Sequence, residues 1–199
     1  VAAMAIDAGA VDPFKDHFHC QTSIDLNGHT IKEHDTEGLP AYKSITDILA
    51  MSYNTGAVRI AMQLGDHRLR EYLDRFHFGS KYETLRLSGQ ERGLMPSGKK
   101  WRDVRVATIG FGQGIGVTAL QVANAFCAIA NGGVMYQPQI VKEVISSEGR
   151  TIHSFRPEPV GRVISAKTSR IMKYMLHQVV EEGTGENAKV PGYTIAGKT

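Results

Sequence analysis

The stretch from Val117 to Met135 is the most apolar in the chain, and both of its ends are written in the sequence. Thr118-Ala119-Leu120-Gln121 has the form of a capping box, in which the threonine hydroxyl accepts from the backbone N–H three residues on and the glutamine reaches back to the threonine N–H. Asn131-Gly132-Gly133 supplies the stop, because glycine takes the left-handed conformation that ends a helix. Gln121, Asn124 and Asn131 break the apolar run, and the span between the two signals is shorter than the roughly 20 apolar residues a bilayer crossing needs. Such a helix has to be buried within protein, so the rest of the chain must supply elements that cover it.

Further helices are legible by the same signs. Ser44-Ile45-Thr46-Asp47 opens a short one that runs to about Met51. Ser52-Tyr53-Asn54 interrupts, Thr55 to Leu64 resumes helically, and Gly65-Asp66 restarts a helix whose Leu69, Tyr72, Leu73 and Phe76 share one face. Ser165 caps a longer helix with Ile171, Met172, Met175, Leu176, Val179 and Val180 at helical spacing, stopped by Gly183. Val1, Ala2, Met4, Ala5 and Ala8 suit a helix already under way, and Gly9 suits its end. Residues 10 to 43 lack helical periodicity, and Asn27-Gly28 predicts a hairpin between Thr22–Leu26 and His29–Lys32. A second hairpin is expected from Ile140–Ile145 and Thr151–Phe155 around Ser146–Arg150. Residues 79 to 103 read as loop, Val104 to Ile109 leads into the run Gly110-Phe111-Gly112-Gln113-Gly114-Ile115-Gly116, and Pro191-Gly192 turns into a strand from Tyr193 to Thr199. Both ends of the chain read as cuts.

Composition narrows the function classes. The 199 residues fit one domain or most of one, and 42% hydrophobic against 22% charged residues excludes a disordered chain. A net charge of +3, from 23 Lys and Arg against 20 Asp and Glu scattered along the chain, argues against nucleic acid as a partner. Cys20 and Cys127 show no Cys-x-x-Cys or zinc spacing, and His17, His19, Cys20, His29 and His34 crowd one region without a standard metal pattern. Neither a metal nor a cofactor is assigned. The glycine run is G-x-G-x-G rather than the dinucleotide G-x-G-x-x-G, and no acidic residue follows about 20 positions on. It reads as a tight turn feeding the helix capped at Thr118.

Two short segments carry possible chemistry. Ser52 and Asn54, lying between helices, are by default capping residues. Gly197-Lys198-Thr199 places an ammonium and a hydroxyl side by side on the final segment, where they can bind a carboxylate, and glycine allows a ligand close to the backbone. In this order, Ser-x-Asn and then Lys-Thr resemble two of the three motifs of penicillin-binding proteins and serine β-lactamases. The flanking text is more specific. Glu181-Glu182-Gly183-Thr184-Gly185, Asn187-Ala188, Val190-Pro191-Gly192-Tyr193 and Ala196-Gly197-Lys198-Thr199 are similar to the approach to Lys-Thr-Gly in class B penicillin-binding proteins of the division type. Gly112-Gln113-Gly114, Val117-Thr118 and Leu120-Gln121 look like that family's glycine turn and following helix. Val1 to Gly9 is similar to the helix that carries Ser-x-x-Lys, joined just after its Lys.

The resemblance spans the chain and implies an α+β fold of the penicillin-binding transpeptidase (serine β-lactamase-like) type. Residues 1–199 would be a partial transpeptidase domain holding mostly its helical part plus one strand of a five-stranded antiparallel sheet. Helices over Val117–Asn131 and Ser165–Glu182 would then show apolar surface. The implied parent is a peptidoglycan D,D-transpeptidase, anchored in the cytoplasmic membrane with this domain outside, that cross-links stem peptides ending in D-Ala-D-Ala through a serine acyl-enzyme and is acylated by β-lactam antibiotics. Cell-division or elongation proteins would bind through other parts of it. By carry-over Ser52 relays a proton to the leaving amine, Asn54 holds the substrate amide, Lys198 supplies positive potential to the substrate carboxylate and the proton relay, and Thr199 hydrogen-bonds the carboxylate. The chain departs from the pattern in three places. Ser-x-x-Lys is absent at the start of any helix; Ser97-Gly98-Lys99-Lys100 fits the letters but lies in a loop after Ser-x-Asn. The closing glycine of Lys-Thr-Gly is missing, and Tyr53 stands mid-motif where some relatives carry Asp. A non-catalytic β-lactam-binding, sensor or scaffold module on the same fold is the alternative. Ser-x-x-Lys immediately upstream of Val1 would favour the enzyme.

Overall fold

A computed structural model describes residues 1–85, 88–98 and 100–199. In chain order the elements are α1 (Ala2–Asp7), β1 (His17–Cys20), β2 (Ser23–Leu26), β3 (His29–Lys32), β4 (Ala41–Ser44), α2 (Ile45–Ala50), α3 (Asn54–Leu64), α4 (Asp66–Arg75), α5 (Asp103–Gly110), α6 (Ala119–Ala130), β5 (Val134–Tyr136), β6 (Glu143–Ile145), β7 (Thr151–Ser154), β8 (Pro159–Arg162) and α7 (Ala166–Glu181).

Local chemistry accounts for most of these boundaries. Both capping boxes form: the Ser44 hydroxyl accepts from Asp47 N–H and the Asp47 carboxylate takes Ser44 N–H, and Thr118 and Gln121 do the same. Ser165 caps α7 by accepting from Thr168 N–H at 3.1 Å. Asn27 and Gly28 take φ of 53° and 81°, the left-handed pair that a two-residue hairpin turn requires, so β2 and β3 pair in register from Leu26–His29 to Ser23–Lys32. The second hairpin forms as β6 and β7.

The core gathers α1, α2, α3, α4 and α7 around Ile45, Ile60, Leu69, Phe76 and Met175, all essentially without exposure. α5 lies along α3. Gly110 lets them approach, since a Cβ there would stand 2.8 Å from Ala61 Cβ and 2.9 Å from the Ala57 carbonyl oxygen. Asp7, closing α1, ties three helices: its carboxylate accepts from Ser165 N–H (2.7 Å), the Thr168 hydroxyl (2.8 Å) and the Tyr72 hydroxyl (2.8 Å).

Four expectations change. Residues 103–110, read partly as loop, form α5; its cap residue Arg102 makes no side-chain bond, so no motif announced it. Asn54 is the first residue of α3 rather than part of the interruption. The described strands pair as four two-stranded antiparallel sheets, β1–β4, β2–β3, β5–β8 and β6–β7, and Tyr193–Thr199 is in no ladder. That last segment lies against α7 instead, through Gly197 N–H to Leu176 O (3.1 Å) and a 2.9 Å contact between His177 Nδ1 and Ile195 O. Finally, α6 does turn Val122 and Phe126 partly to solvent, but α7 does not expose its apolar stripe: Ile171, Met172, Met175, Leu176, Val179 and Val180 are buried, because α1 and α2 pack on it. The loop expected over 79–103 includes Arg86, Leu87 and Lys99, which lie outside the described residues.

Candidate active site

The break between α2 and α3 is built to present Ser52. Tyr53 N–H returns to Ile48 O at 3.0 Å, closing α2, and Ser52 is forced to φ 58°, a left-handed backbone that a non-glycine residue keeps only where its surroundings hold it there. On the far side, α3 begins with Tyr53 as N-cap and no side-chain bond from it. The helix's first N–H groups are taken instead by Glu33, which follows β3: its carboxylate accepts from Asn54 N–H at 2.7 Å and Thr55 N–H at 2.6 Å. Asn54 Nδ2 donates to Lys32 O at 2.9 Å; among the described residues its other amide hydrogen and its oxygen have no protein partner, and the side chain lines the cleft. Thr55 is held too, its hydroxyl donating to Gln21 O and accepting from Gln21 N–H, both at 3.1 Å.

Lys198 arrives from the other end of the chain. Its Nζ donates to Ser52 Oγ at 3.0 Å, and also to Thr199 O at 3.1 Å and Thr199 Oγ1 at 3.2 Å. Burial lowers the Lys198 ammonium below its ordinary pKa. Thr199 Oγ1 is 2.7 Å from Thr184 Oγ1, and Thr184 in turn donates to Ala50 O at 3.2 Å. A hydroxyl has one hydrogen, so with that of Thr184 spent on Ala50 the proton between the two threonines belongs to Thr199. Gly183 lets this strap reach the end of α2, since a Cβ there would stand 2.3 Å from Ala50 O.

All four residues singled out in the sequence, Ser52, Asn54, Lys198 and Thr199, line one cleft of about 320 Å³, a size that accepts a small molecule or peptide end. Residues that sequence reasoning had not placed there line it as well. Val1 and Ala2, at the start of α1, line it, as do Gly110, Phe111 and Gly112, so the glycine run borders the site and is not only the approach to α6. Glu33, Lys32 O and Thr184 hold residues of it in place; Thr184 lies in the text that resembles the family, but its bonds to Ala50 and Thr199, like those of Glu33, left no local signal. Elsewhere, Ser97 and Lys100 lie away from this cleft, Lys100 lining a different one with Arg102 and Arg105, while Lys99 is outside the described residues. Along β1, strand alternation sends His17 and His19 to one face and the buried Cys20 to the other; His19 packs on Tyr42 with ring centres 5.1 Å apart. Among the described residues no group of His, Cys, Asp or Glu is arranged to hold a metal ion, and no helix is long and apolar enough to cross a membrane.

Comparison with known proteins gives the family and the fold. The penicillin binding protein transpeptidase domain model matches residues 1–199. The chain is 34% identical over 205 residues to penicillin-binding protein PbpB of Mycolicibacterium smegmatis, covering 100% of this chain and 31% of that protein. It is 32% identical over 177 residues to peptidoglycan D,D-transpeptidase FtsI of Escherichia coli, covering 87% of this chain and 27% of that one. The chain thus spans under a third of the length of these relatives. The crystal structure of penicillin binding protein 3 from Mycobacterium tuberculosis, complexed with aztreonam, superposes with a TM-score of 0.86 at 31% identity, over 99% of this chain and 45% of that one. This chain therefore belongs to the transpeptidase domain family of the class B penicillin-binding proteins.

Proposed function

We propose that this chain carries the substrate-positioning side of a serine D,D-transpeptidase, and that the attacking serine and its lysine lie outside these 199 residues, entering the cleft at the N-terminal end of α1. The observation that carries the reading is the 3.0 Å contact from Lys198 Nζ to Ser52 Oγ, made across 146 positions of sequence in a cleft that Asn54, Thr199, Val1 and Ala2 also line. The names of the relatives support the reaction class, and the aztreonam complex of a structural neighbour supports β-lactam binding.

In the proposed reaction the serine Oγ attacks the carbonyl carbon of the penultimate D-Ala of a stem peptide, its proton passing to the paired lysine. The C–N bond to the terminal D-Ala breaks, and the leaving nitrogen takes a proton relayed through Ser52. The amine of a second stem peptide then attacks the ester, loses its proton to the same relay, and frees the serine as the new amide forms. Lys198 attracts the substrate's terminal carboxylate and keeps the Ser52 hydroxyl oriented; its lowered pKa brings proton exchange with Ser52 nearer to neutral pH. Thr199 turns its hydroxyl from Thr184 to that carboxylate, and Asn54 offers its free amide hydrogen to the peptide carbonyl. One such donor supplies about 3 kcal/mol of transition-state stabilisation. A β-lactam enters as the same carbonyl electrophile, but its opened ring keeps the amine tethered. The domain works on the outer side of the cytoplasmic membrane, where peptidoglycan is.

The test is fluorescent-penicillin labelling of the 199-residue chain beside a longer protein that restores Ser-x-x-Lys upstream of Val1. The longer protein is expected to be labelled at that serine and the 199-residue chain to remain unlabelled. A labelled residue between 1 and 199 overturns the reading, and so does a longer protein that stays unlabelled.

A further inference from the structure

We infer that Glu33 is a positioning residue for the Ser52-Tyr53-Asn54 turn: a buried carboxylate outside every motif that sets where the proton relay and the substrate amide donor stand. The inference rests on the function proposed above for Ser52 and Asn54, and deepens it.

Glu33 is only 9% exposed. A carboxylate so placed has to be compensated. Among the described residues two adjacent backbone N–H groups, those of Asn54 and Thr55, donate to it, one to each oxygen, at 2.7 and 2.6 Å. These are the first N–H groups of α3, where the helix dipole is positive and the N-cap Tyr53 gives no acceptor of its own. The carboxylate is itself held. Glu33 N–H bonds to Thr22 O at 3.0 Å, continuing the β2–β3 ladder, and the preceding carbonyl, Lys32 O, accepts from the Asn54 side chain. The end of one hairpin therefore grips Asn54 twice and Thr55 once.

An ordinary cap steadies a helix end and stops there. Here the gripped residues follow Ser52 within three positions. Ser52 sits two positions before Asn54 in a left-handed backbone, its position set between the Tyr53-to-Ile48 closure of α2 and the Glu33 grip on α3. Slackening the second anchor frees Ser52 to relax toward an ordinary conformation, which moves Oγ away from Lys198 Nζ and shifts the Asn54 amide in the cleft. A displacement near 1 Å in such a group costs about 100-fold in rate.

The experiment compares Glu33→Gln, Glu33→Ala and Glu33→Asp with the parental protein by two readouts. The first is amide hydrogen exchange at Asn54 and Thr55. Both are expected to lose protection in Glu33→Ala, one of the two in Glu33→Gln, while protection in α7 stays parental. The second is benzylpenicillin acylation of the longer protein that supplies the serine, split into the limiting rate and the half-saturating concentration, per folded molecule. Glu33→Gln is expected to lower the limiting rate about tenfold or more with a smaller change in half-saturation, and Glu33→Asp, which keeps the charge, to recover part of it. Parental exchange at Asn54 and Thr55 in Glu33→Ala overturns the inference. So does lost protection with a parental limiting rate, which would make Glu33 a structural cap alone. If the parental longer protein is not acylated at all, it is the functional reading that falls, and the exchange data by themselves still decide whether Glu33 holds the turn.

Discussion

Ser52 and Lys198 together make the smallest unit of this site that means anything. Either one alone is an unremarked polar residue at the edge of a helix or of a terminal segment. The 3.0 Å bond between them couples a hydroxyl to an ammonium whose pKa burial has lowered. Because burial disfavours the charged form of Lys198, its folded pKa lies below the unfolded one, and the charge adds no stability at neutral pH. Lys198→Met is therefore expected to leave the melting temperature within about 2 °C. In the longer protein that carries the attacking serine, both Lys198→Met and Ser52→Ala are expected to slow penicillin acylation by about 100-fold. Thermal melts beside acylation time courses check this; a large loss of stability in Lys198→Met would show that the lysine serves the fold. At this scale Ser52, Asn54, Lys198 and Thr199 were singled out from sequence and Thr184 lay in family-like text, whereas the bonds of Thr184 and the place of Glu33 were not legible. A hydrogen bond to Ala50 from 134 positions away, or to Asn54 from 21, leaves no trace in local text.

Elements were legible where their ends carried side-chain chemistry. The boxes at Ser44 and Thr118, the cap at Ser165 and the Asn27-Gly28 turn each state a local hydrogen-bond or backbone requirement, and each forms. α5 went unannounced, as did β5 and β8, whose pairing brings Val134 opposite Arg162. What α5 needs is a neighbour, and Gly110 records it, since the glycine matters through Ala57 and Ala61 of α3 rather than through any turn of its own. Gly110→Ala is expected to push α5 off α3 and cost about 1–3 kcal/mol of stability, measured by urea unfolding. An unchanged midpoint would mean that the helices part at no cost.

Over the whole molecule, Asp7 carries the longest-range polar tie, joining α1 to α4 and to the start of α7. Burial pushes its carboxyl up, but the bonds donated by the Ser165 backbone and by Tyr72, Thr168 and Ser165 outweigh that and hold it below the usual carboxylate range. Tyr72 is pushed up to about 12, by burial first and then by its bond to Asp7. With the folded pKa of Asp7 depressed, the tie's contribution is complete above the unfolded carboxyl value of about 3.9 and fades as pH falls through the folded one. Asp7→Asn is expected to cost about 1 kcal/mol, and Asp7→Ala about 3 kcal/mol, near pH 7. In Asp7→Asn the part of the acid-side stability loss that Asp7 contributes should vanish, which urea unfolding between pH 2 and pH 6, as an approximate range around the carboxylate values, would reveal.

The sequence by itself determined where α2, α6 and α7 start and which faces of α4 and α7 are apolar, and it singled out the four side chains that the structure gathers. Caps, turns and periodicity act within a few residues, so a linear reading captures them. Only the tertiary structure decided that Ser52, Asn54, Lys198 and Thr199 share one cleft with the end of α1 and the glycine turn, and that α7 lies buried. It also decided that a glutamate after β3 holds the turn between α2 and α3. These depend on contacts made across tens to more than a hundred positions, and the energy of such a contact belongs to both partners at once, so neither local sequence can state it alone.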